Sequence, residues 1–125
     1  MQFGVEVLSL IAKFSETERH TPKIRQLEKS ATSIGANVAE SKSAQSRADF
    51  ISKFEIALKE ARETDYWLRL VKSRNLGLEN HIGILIDECW QITAILVTSI
   101  KTAKRNGGIE EPRLQKGRAG SREQN

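Results

Sequence analysis

Along the first hundred residues, apolar side chains recur at alternating spacings of three and four, the rhythm of helices that bury one face. Phe3, Val7, Leu10 and Phe14 predict a first helix over 2–15, with Leu8 and Ile11 beside the stripe. Residues 16–21 are polar and read as a connection. Thr21 then offers an N-cap and Pro22 a first-turn proline for a second helix over 22–43. Its stripe is Ile24, Leu27, Ala31, Ile34 and Val38. The third helix, 46–73, has the longest seam: Phe50, Phe54, Ala57, Ala61, Thr64, Leu68 and Val71. After a turn at Asn75 and Gly77, a fourth over 78–104 presents Leu78, Ile82, Leu85, Cys89, Ile92, Leu96 and Ile100, and Asn106-Gly107-Gly108 is a stop signal. Pro22 and Pro112 leave a long unbroken stretch between them, whereas a strand-rich chain shows turn signals every ~8–12 residues. The expected fold is all-α: an antiparallel up-down-up-down four-helix bundle over residues 1–104.

Two features exceed what a single bundle needs. On the fourth helix, at about 100° per residue, Ile86, Trp90 and Val97 fall to one side of the core stripe, and Ile84 and Ile95 to the other. On the third, Ile56, Trp67 and Leu70 form a second stripe. Apolar arcs this wide call for a second partner, which makes Ile56, Trp67, Leu70, Ile86, Trp90 and Val97 candidate contacts of a homo-oligomer. The alternative is that both are well-covered central helices. In the second helix the run from Ser30 to Asn37 is nearly all small, and Gly35 costs about 1 kcal/mol against Ala. Either a neighbouring backbone approaches closely there or the helix kinks.

Charge adds a second theme. The net charge is +4, yet acidic and basic residues cancel over 1–100. The surplus lies beyond, in Lys101, Lys104, Arg105, Arg113, Lys116, Arg118 and Arg122 against Glu110, Glu111 and Glu123. Residues 105–125, with Ile109 and Leu114 as their large aliphatics, are expected to form a basic, disordered tail. On the third helix Lys59, Arg62, Tyr66 and Arg69 fall within about 80° of one another, a basic ridge with an aromatic that suits phosphates and a stacked base. With Lys101, Lys104 and Arg105 they are the candidate nucleic-acid contacts. The plainer reading is a solvated face on which Glu55 pairs with Lys59.

Catalytic chemistry is not evident. No phosphate-binding glycine motif occurs. His20 and His81 fall in expected connections without spaced partners, so no metal site is expected. Glu40, Glu60 and Glu63 lack the Glu-x-x-His pairing of di-iron bundles. Cys89, the single cysteine, lies on the core face and reads as an inert buried thiol. The chain is therefore expected to be no enzyme, with no cofactor and no small-molecule substrate. One cysteine suits a reducing compartment. Asp87, Glu88 and Gln91 interrupt the apolar stretch 82–97, whereas a span needs about 20 apolar residues, so no membrane partner and a cytoplasmic location are expected.

The run Lys29-Ser30-Ala31-Thr32-Ser33-Ile34-Gly35-Ala36-Asn37-Val38-Ala39-Glu40 resembles the hallmark of a bacterial family, the 23S rRNA intervening-sequence proteins, or S23 ribosomal proteins. So does the later stretch from Ser46-Arg47-Ala48-Asp49-Phe50, through Ile56 to Thr64, to Tyr66-Trp67-Leu68-Arg69-Leu70. The likeness spans roughly residues 3–103. The family also takes in the accessory protein of diversity-generating retroelements. Ser41 stands where the family usually has Gly, which lets the second helix run further. The resemblance implies a four-helix protomer assembled as a homopentamer, with a basic outer surface in the retroelement members, which bind nucleic acid and a reverse transcriptase. The name S23 records a location within rRNA genes rather than a place in the ribosome. The expected function is that of a non-enzymatic, oligomeric nucleic-acid-binding accessory protein. The alternative is a protein-interaction scaffold, with a partner such as a reverse transcriptase and no direct nucleic-acid role.

Overall fold

The computed structural model describes residues 2–109, and these are all-helical. The elements are α1 (Gln2–Ala12), α2 (Glu16–Arg19), α3 (Pro22–Ser41), α4 (Arg47–Lys72) and α5 (Glu79–Ile109). The expectations for the tail from residue 110 onward lie outside the described residues.

Each seam buries as its spacing requires. Phe3, Val7, Leu10, Ile11 and Phe14 meet Ile24, Leu27, Ala31 and Ile34 from α3. Ala57, Ala61, Leu68 and Val71 from α4 and Ile82, Leu85, Cys89 and Leu96 from α5 complete one core. Small residues at 57 and 61 let α5 come close, so that the Cys89 thiol donates to the Ala61 carbonyl at 3.2 Å. Between α3 and α4 the buried hydroxyls of Thr64 and Ser30 lie 2.9 Å apart, and Ser30 Oγ is 3.2 Å from the Leu27 carbonyl. Two protons serve this chain of oxygens, which leaves neither hydroxyl unpaired inside the core.

Four boundaries differ from expectation. Ser15 interrupts the first helix: its backbone is extended and its Oγ accepts from the Glu18 amide at 3.2 Å, which caps the short α2 inside the expected connection. Consequently α1 ends at Ala12, closed by short-range bonds from the Lys13 and Phe14 amides to Leu10 and Ile11. Thr21 does occupy the N-cap of α3, but its hydroxyl donates back to Glu18 O at 2.9 Å. The helix then stops at Ser41, two residues before the expected end, with the Ser41 hydroxyl donating to Val38 O. At the other end α5 passes through Asn106-Gly107 and reaches Ile109. The Arg47 stem lies against Gly107, where a Cβ would come within 2.7 Å of its Cδ. His81 is thus in the first turn of α5 rather than a connection, 3.3 Å from Lys13 Nζ.

Cross-links fix the helix directions. Glu40 near the end of α3 pairs with Lys53 near the start of α4, and Glu55 near the start of α4 pairs with Lys104 near the end of α5. Both pairings make the partners antiparallel. α1 packs on α3 and α5, as α4 does, so α1 and α4 stand on opposite sides of the molecule. The apolar run of α5 is long enough for a membrane span, and here its Ile82–Ala103 stripe is packed against the other helices.

Candidate nucleic-acid interface

α4 begins cleanly because Ser46 Oγ accepts from the Asp49 amide at 3.0 Å, and its inward seam leaves the opposite face in water. On that face Lys59, Arg62, Tyr66 and Arg69 are all exposed. The Glu55–Lys104 ion pair, 3.0 Å long, brings the end of α5 beside the first half of this ridge. Lys101, Lys104 and Arg105 are exposed there too, so the two groups of expected basic residues share the α4–α5 side. Glu55 therefore bonds across helices rather than to Lys59 as expected. Arg69 is likewise engaged, its Nε donating to both carboxylate oxygens of Asp65 at 3.0 and 3.1 Å. Such exposed pairs are worth little and can exchange for phosphate oxygens.

Trp90 joins the ridge from α5. Its side chain is 61% exposed, and the Arg69 guanidinium carbon lies 5.9 Å from its ring centroid. Arg62, Asp65, Trp90 and Thr93 enclose a cleft of about 250 Å³ between α4 and α5. Tyr66, also exposed, meets the Trp67 ring edge-on with centroids 5.0 Å apart.

The residues expected at an oligomer contact do not form one surface. Ile86 is buried in the protomer's own core, a correction that follows from its turn toward α4. Trp67, Leu70 and Val97 are half-buried, and Trp67 packs against the core with its indole nitrogen inside. Ile56 and Trp90 remain exposed. Val5 and Leu8 on α1 and Ile84 and Ile95 on α5 are exposed as well; Ile95 borders Gln2 and Phe3 of α1, whereas Ile84 shares a hollow with Arg69 and Lys72 of α4. Glu6 is the one charge in α1, whereas charge recurs along α4 from Arg47 to Lys72. A shallow groove between α1 and α3 is lined by Val5, Leu8, Gly35 and Ala36. Ile84 and Ile95 were visible as a flank of their helix, but the nearness of Ile95 to α1 needed the helix order.

Titratable groups outside the ridge are governed by burial and by their neighbours. Burial, aided by the charge of Asp65, pushes the Cys89 thiol up to about 12, so it stays protonated at neutral pH. Glu40 is paired with Lys53 at 2.9 Å. Burial and the neighbouring Glu63 hold Glu60 above its ordinary value. Among the described residues no group of three or more His, Cys, Asp or Glu is placed to hold a metal ion.

Comparison with known proteins adds the family context. The profile of the family described as 23S rRNA-intervening sequence protein matches residues 1–98. The fold is similar to the crystal structure of a protein of unknown function from the S23 ribosomal protein family of Bacteroides thetaiotaomicron VPI-5482. The TM-score is 0.74 at 37% identity, covering 80% of this chain and 93% of that one. No curated protein matches.

Proposed function

The chain belongs to the 23S rRNA-intervening sequence protein family, and on that premise we propose that it is a non-enzymatic, oligomeric nucleic-acid-binding accessory protein. Its protomer is a four-helix bundle that buries the α1 side against further copies, in the homopentamer the family resemblance implies. Because α4 stands opposite α1, closing such a ring turns α4 outward. The observation that carries the reading is the exposed row Lys59, Arg62 and Arg69, reinforced by Lys101 and Lys104 across α5. Repetition of one modest basic ridge around an oligomer multiplies its affinity without any new contact.

Backbone contacts release counterions, so binding to a fluorescent oligonucleotide falls steeply as salt rises. The double variant Lys59→Ala/Arg62→Ala is expected to weaken binding at least tenfold at low salt and to flatten the salt dependence. Absence of binding at low salt, or binding indifferent to these substitutions, overturns the reading. In that case a protein partner such as a reverse transcriptase, docked on the exposed apolar residues, becomes the better account.

A further inference from the structure

We infer that the cleft between α4 and α5 receives one unpaired base, stacked on Trp90, so that the ridge takes single-stranded nucleic acid in preference to duplex. This rests on the nucleic-acid reading above and specifies the state of the strand. An indole left 61% exposed in the middle of a charged ridge is not there to fill the core. Trp90 is flanked instead by guanidinium groups: Arg69 stands 5.9 Å from its ring, and Arg62 lines the same cleft. Asp65 accepts from Arg69 Nε, an exposed pair that can give way to a phosphate oxygen when a strand binds. The combination is a π-face for a base with cations beside it for the adjoining phosphates, the pattern of single-strand platforms. At about 250 Å³ the cleft is smaller than the ~300–1,000 Å³ of drug-sized pockets, which suits a single flat ring system. A duplex keeps its bases stacked within itself and offers this surface only its phosphates.

Every base has a π-face, so RNA and DNA strands share the chemistry and the test includes both. Twelve-residue oligoadenylates, ribo and deoxyribo, and a DNA duplex of the same length are titrated against the full chain and its variants, with tryptophan fluorescence as a second readout. Trp90→Leu keeps the apolar bulk and removes the π-face, while Trp90→Phe keeps an aromatic face. Expected for Trp90→Leu is about a tenfold loss for both single strands, an unchanged duplex affinity and an unchanged salt slope. Trp90→Phe should recover most of the loss. By contrast Arg62→Ala should weaken all three ligands and lower the slope by about one. Unchanged single-strand binding in Trp90→Leu overturns the stacking site and leaves the backbone reading standing if Arg62→Ala still acts. Equal losses on single strand and duplex, or dissociation of the oligomer in light scattering, also overturn it. No binding by the wild-type chain to any of the three removes both readings together.

Discussion

Glu88 meets Glu6 where α5 passes α1, and the hydrogen bond between their carboxyls, with partial burial and mutual repulsion, raises the Glu88 pKa above its ordinary value. A raised carboxyl pKa means that the folded chain holds a proton the unfolded chain has released. Stability from this group is therefore greatest at acid pH and is lost as pH rises from the ordinary glutamate range through the raised folded value. Glu88→Gln keeps a hydrogen-bonding side chain without the charge. It should stabilise the protein by on the order of 0.5 kcal/mol at pH 7, and the gain should disappear near pH 4. Urea unfolding at both pH values measures the difference, and an equal gain at both would show that the carboxyl pair is not its source. The inert character of Cys89 was readable from its place in the Leu85–Ile92 seam. The meeting of Glu6 with Glu88 was not, because periodicity assigns residues to faces and is silent about which helix lies opposite.

At the element scale, side-chain caps set where α2 and α4 begin. Ser46 caps α4, the helix whose seam meets both α3 and α5, and α4 cannot shift register without losing the fit of Ala57 and Ala61. Ser46→Ala should cost about 1 kcal/mol in denaturant unfolding with an unchanged denaturant slope. A cost no larger than that of the neighbouring exposed Gln45→Ala would show that the cap bond contributes nothing. All four long helices were legible in the spacing of their apolar residues. The short α2 was not, since Glu16–Arg19 has no buried residue and so no stripe. Its signal was the capping pattern Ser15-Glu16-Thr17-Glu18, a Ser followed three residues later by Glu. The end of α5 was misjudged for a different reason. Glycine's intrinsic cost argued for a stop, and the packing of the Arg47 stem on Gly107 favours continuation.

At the scale of the molecule, the helix order separates two chemistries that the sequence left interleaved. Trp67 and Trp90 both looked like one apolar contact. In the structure Trp67 leans into the core, while Trp90 stands on the α5 flank of α4 among arginines. Val5 and Leu8 lie on α1, on the opposite side, with Ile95 bordering Gln2 and Phe3, and Glu6 is the only charge that α1 contributes. Apart from the Glu6–Glu88 pair, that side has fewer ions to strip of water than the α4 face, so its burial costs less in desolvation. Charging it should therefore break the proposed assembly without unfolding the protomer. The double variant Leu8→Glu/Ile95→Glu is expected to retain its helical circular dichroism and fall toward the protomer mass of 14.1 kDa in light scattering. Its affinity for an oligonucleotide should drop about tenfold or more, because each ridge then acts alone. An unchanged mass would move the contact away from α1. An unchanged affinity in a dissociated protein would show that one α4 ridge suffices.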